Sequence, residues 1–259
     1  MKPPVMFLHA AGTNRDREAA WACELAGGAP EIVPITALTS GQRSIMEAKM
    51  LVLPGGFSNG DDLGAGRVWA LALRQTLGDQ IEAFVAAGRP ILGICNGFQA
   101  LIKAGLLGDE GVWETQRKLT LTHNASARFE CRWVWLEPEP ESPCIFTRGM
   151  TEPIFCPIAH GEGRVMARDE AAIAAVEARK GAALRYISPD GEAVDYPANP
   201  NGSVNNIAGV CNAAGTVMGL MPHPEDHIVP RQHPRRHRGE SGNLGLVLFR
   251  NGVRYAAEL

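Results

Sequence analysis

Apolar residues in the first half of the chain form short unbroken runs, and helical patterns separate these runs. The runs cover residues 5–10, 31–35, 49–54 and 90–94. The clearest helical patterns span residues 68–87, with a break expected near Gly78, and residues 96–107. Strands without polar alternation that are separated by helices are typical of a parallel sheet covered on both faces.

The second half of the chain has a different pattern. Residues 127–136 alternate and place Phe129, Cys131, Trp133 and Trp135 on one side, which predicts a half-solvated antiparallel strand with these residues on its apolar face. Further elements are expected at residues 154–158, 169–179, 183–187, 207–210, 216–221 and 245–256. The whole pattern predicts an α/β fold with three layers and a mostly parallel central sheet with an antiparallel extension, in a single domain over residues 1–259.

Composition narrows the functional classes. The net charge is −3 and aromatic residues make up 6% of the chain, so neither nucleic acid nor a membrane surface is an expected partner. Six cysteines lack C-x-x-C and zinc-finger spacing, so we expect six free thiols, no metal and a reducing, cytoplasmic location. The first ten residues are more typical of a strand than of a signal peptide.

One cysteine has a context that structural cysteines lack. Cys95 lies between Gly93 and Gly97, where a buried strand runs directly into a helix. This is the cysteine form of a nucleophile elbow, in which the helix N-terminus favours a thiolate. The backbone N–H of Asn96 would then face an oxyanion. The alternative is a small buried hydrophobe, the interpretation we give to the other five cysteines.

A thiolate nucleophile needs a base, and His223 is the strongest candidate. Prolines at 222 and 224 favour an extended backbone, which would place Glu225 on the same side as His223. The alternative is a surface turn with a casual His–Glu pair. The pair Gly55-Gly56 follows another buried strand and offers a second oxyanion donor at Gly56, although glycine pairs often only turn the chain.

The ordered motifs G-G-F-S, G-I-C-N-G-F-Q and P-H-P-E resemble those of the class I glutamine amidotransferases. The likeness extends through Gly60-Asp61, residues 157–164 and residues 199–203. It implies that Cys95, His223 and Glu225 form a catalytic triad, with the oxyanion hole at Gly56 and Asn96. It further implies substrate-binding residues, namely Gln99, Phe57, His123 and Asn124, and a partner interface at His160, Glu162 and Arg164. His160 could instead lie in a simple turn with no interface role. Residues 122–124 could instead only end a strand and not bind substrate.

Asn96 and the Pro-His-Pro-Glu motif most closely resemble the branch of that family that serves purine biosynthesis. The resemblance implies that L-glutamine is hydrolysed and that ammonia passes to an ATP-dependent synthetase subunit. That partner would convert formylglycinamide ribonucleotide to formylglycinamidine ribonucleotide, and a further small subunit is left open. No cofactor is expected in this chain, which has no Walker or ATP-grasp motif, so ATP and Mg²⁺ are expected on the synthetase.

Three departures from the family pattern, at Asn59, Gly64 and Asp226, keep open a glutaminase that serves a different synthetase. A second alternative is a cysteine-elbow hydrolase of the intracellular-protease-like group. Those proteins place a carboxylate near the first strand, where this chain has none. A non-catalytic binding module is the third. The basic stretch 227–238 could be a solvated loop, a surface that docks a partner, or a metal-binding site.

Overall fold

The computed structural model describes residues 1–109, 111–190 and 195–259. The strands are β1 Pro4–His9, β2 Ala29–Pro34, β3 Met50–Leu53, β4 Ile91–Ile94, β5 Leu119–Thr122, β6 Glu130–Pro138, β7 Ile154–His160, β8 Arg164–Ala167, β9 Leu184–Ile187, β10 Ile207–Cys211 and β11 Val217–Leu220. The helices are α1 Asp16–Leu25, α2 Ile35–Thr39, α3 Arg67–Gln75, α4 Gly78–Ala86, α5 Asn96–Ala104, α6 Glu170–Ala178 and α7 Leu246–Glu258.

The central sheet has a parallel half and an antiparallel half, as the apolar patterns predicted. Its order is β2-β1-β3-β4-β11-β10-β9-β6-β7. The pairings from β2 to β11 are parallel. The pairings from β11 to β7 are antiparallel. Ile94 pairs with Leu220, so β4 and β11 end side by side, and this edge is where α/β sheets place ligands.

Helices cover the parallel half in two packed pairs. Helix α1 packs against α7, while α3 packs against α5. The strand order reverses at β1, and right-handed crossovers then place the two pairs on opposite faces. The break expected near Gly78 is confirmed, because α3 ends at Gln75 and α4 begins at Gly78. No helix in the described ranges is long and apolar enough to cross a membrane.

The face assigned to β6 from its alternation is wrong. Val134 and Leu136 are buried in the core, whereas Cys131 is exposed and Phe129 is 54% exposed. Trp133 and Trp135 are half-buried because Phe155 of β7 packs against both of their rings. His227 and His233 also pack against the Trp133 ring on this face, and none of these contacts is visible in the alternation itself. All six cysteines are free thiols.

Candidate active site

Cys95 lies at the sharp turn between β4 and α5. Its backbone has φ 51° and ψ −104°, a conformation that costs a non-glycine residue about 1–3 kcal/mol. The Cys95 N–H donates to the Leu220 carbonyl at 2.8 Å, which fixes the turn against β11. A Cβ at Gly97 would overlap the Leu53 carbonyl oxygen, so the helix starts in direct contact with β3. The predicted elbow is confirmed as a structure.

His223 and Glu225 form a buried pair beside Cys95. The His223 Nδ1 atom lies 2.7 Å from the Glu225 Oε1 atom, and the two residues are 4% and 0% exposed. The chain here is not extended as expected, because Pro224–Asp226 forms a 3-10 turn that brings Glu225 under the ring. The His223 backbone N–H donates to the Pro157 carbonyl at 2.8 Å.

The imidazole of His223 reaches towards the thiol across Gly55. A Cβ at Gly55 would lie 2.6 Å from His223 Cε1 and 3.5 Å from Cys95 Cβ, so no larger residue fits between them. Burial lowers the pKa of His223, but the charges of Glu225 and Cys95 outweigh burial and hold it well above its usual value. The site therefore favours a protonated His223 imidazole beside the Cys95 side chain.

One predicted oxyanion donor, Asn96, lies at the turn after β4, and the other, Gly56, lies in the loop after β3 and lines the same cavity as Cys95. Gly56 bridges to Thr13 with φ +149°, and a Cβ there would lie 2.6 Å from the Gly12 carbonyl oxygen. Asn96 is the first residue of α5, where a backbone N–H has no carbonyl partner within its own helix. Their service as an oxyanion hole stays a prediction.

A cavity of about 200 Å³ opens above the thiol. It is lined by Gly56, Phe57, Asp61, Ala65, Cys95, Gln99, His123, Phe129, Ala159, His160, Gly161 and Glu162. Clefts for drug-sized ligands have about 300–1,000 Å³, so this cavity suits a small metabolite. Burial raises the pKa of Asp61, and hydrogen bonds from Gly66 and Asn96 oppose that rise.

The Asn96 side chain joins three parts of the site. Its Oδ1 atom accepts from the Ser58 N–H at 3.0 Å. Its Nδ2 atom donates to Asp61 Oδ1 at 3.1 Å and to Gln99 Oε1 at 2.9 Å. The sequence pattern indicates only a backbone role for Asn96. The side-chain role depends on Asp61, which belongs to the Gly60-Asp61 motif.

Three residues predicted to bind substrate line this cavity, and one does not. Gln99, Phe57 and His123 all face it. Gln99 Nε2 also donates to the Glu162 carbonyl at 2.7 Å. Asn124 lies behind the cavity, where its Nδ2 donates to the Arg128 and His160 carbonyls. Its Oδ1 accepts from Gly163 N–H at 3.0 Å, so the amide is fully used in holding the loop 160–163.

The predicted partner interface needs a correction at His160. This side chain is 2% exposed, so it offers no docking surface. Its Nδ1 atom lies 3.1 Å from Asn124 Oδ1, and the ring turns inward to line the cavity. Burial, with the nearby charge of His223, lowers the pKa of His160 to about 3. Glu162 and Arg164 are partly exposed, and their interface role stays a prediction.

The unusual Asp226 has its own partner. Arg15 Nε donates to Asp226 Oδ2 at 3.2 Å, so this second carboxylate is paired away from His223. His223, Glu225 and Asp226 place one ligand atom each within 4.8 Å of one another. That cluster could hold a metal ion, but His223 Nδ1 and Asp226 already have partners. The expected absence of a metal stays a prediction.

The basic stretch 227–238 is partly buried. His227 and His233 are 0% and 6% exposed and pack with Trp133 and Phe155. Arg235, Arg236, His237 and Arg238 are exposed. The stretch is therefore an anchored surface segment, and a wholly solvated loop is excluded.

Comparisons with known proteins agree with this geometry. The family model for CobB/CobQ-like glutamine amidotransferase domains matches residues 2–256. The chain is 44% identical to the phosphoribosylformylglycinamidine synthase subunit PurQ of Treponema denticola, over 98% of this chain and 99% of the relative. It is 42% identical to the same subunit of Dehalococcoides mccartyi, over 100% and 99% of the two chains. A chain in the solved PurLQS structure from Thermotoga maritima superposes with a TM-score of 0.74 at 34% identity, over 98% and 99%.

Proposed function

The chain belongs to the CobB/CobQ-like glutamine amidotransferase domain family, and on this premise we propose that it hydrolyses L-glutamine through a thioester on Cys95. The observation that carries the proposal is the strained Cys95 beside the buried His223–Glu225 pair, at the floor of a small cavity. A thiolate, an adjacent imidazole and a carboxylate that orients it are the parts of an acyl-transfer site.

In the first step the Cys95 sulfur attacks the carbonyl carbon of the glutamine side-chain amide. The C=O π electrons move to oxygen, and the oxyanion faces the N–H groups of Gly56 and Asn96. His223 gives its proton to the amide nitrogen. The C–N bond then breaks, ammonia leaves and the γ-glutamyl thioester remains.

In the second step water attacks the thioester. His223, now neutral, takes a proton from the water as the bond to carbon forms. The C–S bond breaks, glutamate leaves and the Cys95 thiolate and the imidazolium return. Glu225 keeps the ring oriented through the 2.7 Å contact in both steps.

The cavity also suits the α-amino end of the glutamine substrate. The carboxylates of Asp61 and Glu162 line it and would attract an α-ammonium group. The half-exposed rings of Phe57 and Phe129 stand 6.5 Å apart at the mouth and would cover the bound substrate. This arrangement supports a small ligand that carries an ammonium group.

We propose that the ammonia serves formylglycinamidine ribonucleotide synthesis on an ATP-dependent synthetase subunit. Full-length likeness to PurQ subunits and to a chain of the PurLQS assembly supports this acceptor over another synthetase. In this proposal the synthetase binds ATP and Mg²⁺, and this chain binds no cofactor. The reaction takes place in the cytoplasm. The assembly name PurLQS supports a third component besides this chain and the synthetase.

Covalent labelling tests the glutaminase site. The chain is incubated with a diazo-ketone glutamine analogue, with and without the synthetase, and intact mass and peptide mapping locate the adduct. We expect one adduct at Cys95 that glutamine suppresses and that Cys95→Ala abolishes. Cys23→Ala is a matched control at another buried thiol and should label normally. An unlabelled Cys95 in the complete, substrate-loaded complex would overturn the proposal.

A further inference from the structure

A second, larger cavity lies beside the glutamine cavity and has no role in the hydrolysis. It measures about 670 Å³, and His123 and Glu162 line both cavities. We call it the basic groove and define it by Arg67, Arg74, Lys103 and Arg117, with Leu63 and Leu71 at its rim. Among the described residues that line it, four cations face one carboxylate, that of Glu162, in a chain whose net charge is −3.

Three of these cations lack an acidic partner. Arg67, Arg74 and Arg117 are exposed, and within residues 1–109, 111–190 and 195–259 none of them forms an ion pair. Arg74 and Arg117 each donate one N–H to a carbonyl in the last turn of α5, at Ala104 and Lys103. Capping α5 therefore explains part of their placement. A guanidinium has five N–H donors, so most of this capacity is left for a ligand.

The rim of the basic groove favours a protein over a small anion. Leu63 and Leu71 are 67% and 60% exposed on either side of the arginines. Exposed apolar residues beside arginine are typical of protein interfaces, whereas a small anion gains nothing from them. Charge complementarity then requires carboxylates on the docking segment.

A short chain of contacts leads from the groove to the reacting thiol. Lys103 Nζ lies 3.6 Å from a Glu162 carboxylate oxygen. The Glu162 carbonyl accepts from Gln99 Nε2, and Gln99 lines the glutamine cavity with Cys95. An acidic group that competes for Lys103 would thus act on the wall of the glutamine cavity.

We propose that the basic groove receives an acidic segment of the ATP-dependent synthetase, an inference that rests on the proposed function. Docking there places the partner directly against the glutamine cavity, and Lys103 and Glu162 transmit its arrival to Gln99.

Triple charge reversal tests this docking surface. The affinity of the full chain for the synthetase is measured by sedimentation for wild type and for Arg67→Glu/Arg74→Glu/Arg117→Glu. The matched control is Arg148→Glu/Arg250→Glu/Arg254→Glu, three exposed arginines that are not part of the groove. We expect the groove variant to lose about tenfold or more in affinity, while the control stays within about twofold of wild type.

Two further measurements keep the test decisive. Among the described residues, the Arg67 side chain forms no hydrogen bond or ion pair and does not cap a helix. Arg67→Glu alone therefore reports on docking even if the triple variant unfolds. Raising NaCl from about 0.05 M to about 0.3 M should weaken the wild-type complex more than the groove variant complex.

The contradicting results are distinct from failure of the glutaminase proposal. Equal affinity of the groove variant and the control overturns the docking inference while Cys95 labelling stands. Binding of inorganic triphosphate that the groove variant loses, with unchanged synthetase affinity, also overturns it and identifies a small-anion site. Loss of Cys95 labelling in the wild-type complex would instead contradict the proposed hydrolysis.

Discussion

The two walls of the glutamine cavity are held in different ways. On the nucleophile wall, Gly55, Cys95 and His223 each follow the end of a parallel strand, and backbone contacts fix them. On the opposite wall, residues 159–163 span the end of the antiparallel strand β7 and the turn after it, and the side-chain amides of Gln99 and Asn124 hold them. Changes in the first wall should therefore alter the chemistry, and changes in the second should alter binding and stability.

The largest effect in this comparison is expected from Glu225→Gln. In triad enzymes, neutralising the orienting carboxylate costs about 10⁴ in kcat, and a loss of that order is expected here. The charge of Glu225 also raises the pKa of His223, so the wild-type imidazolium survives to a higher pH than an ordinary histidine. Without that charge the pKa falls, and the alkaline limb of kcat/KM should move to lower pH.

The matched control is Asp226→Asn. This carboxylate lies close to the pair, but it is bound to Arg15 and is not among the charges that raise the pKa of His223, so its removal should leave the alkaline limb in place. Both profiles are measured as glutaminase activity of the complex between pH 6 and pH 10, roughly the range in which histidine and cysteine titrate. If the alkaline limb of kcat/KM in Glu225→Gln lies at the same pH as in wild type, the assignment of His223 as the proton donor is contradicted.

A pair of glycine variants compares the walls directly. A methyl group at Gly55 would lie 2.6 Å from His223 Cε1, whereas one at Gly161 would meet only Phe129 at 3.9 Å. Gly55→Ala should lower kcat by about 10²-fold, the cost of a misplacement of about 1 Å. Gly161→Ala should keep near-normal kcat. Steady-state kinetics of both complexes provide the measurement, and equal losses would refute the proposed difference between the walls.

Asn124→Ala should give the smaller effect that side-chain support predicts. Four hydrogen bonds of its amide hold the loop 160–163 and the Arg128 carbonyl. Leaving buried partners unsatisfied costs about 1–3 kcal/mol, which we expect as a lower unfolding temperature and a KM raised by about tenfold. The kcat should change little. A kcat that falls strongly at a temperature where the variant is still folded would show that this wall takes part in the chemistry.

The nucleophile wall was predictable because its signals are local. Gly93, Cys95 and Gly97 mark the elbow within five residues, and the apolar runs place it in a parallel sheet. Pro222 and Pro224 on either side of His223 indicate a fixed backbone at the candidate base. The turn that brings Glu225 under the ring differs from the expected extended chain.

The opposite wall was less predictable because its contacts join distant segments. The inward turn of His160 depends on Asn124, 36 residues earlier in the chain. The face of β6 depends on Phe155, which covers Trp133 and Trp135 and leaves Cys131 exposed. A period-two pattern does not by itself identify the core face when both faces of a strand carry apolar side chains.

The most direct test compares two nitrogen sources in the assembled complex. Cys95→Ser replaces the thiol and leaves the rest of the site in place. With glutamine as the source, synthesis of formylglycinamidine ribonucleotide should fall by about 10³-fold or more, while synthesis with ammonium chloride should stay within about twofold of wild type. Glutamine-dependent synthesis that survives the substitution would contradict the account, because Cys95 would then not be the nucleophile.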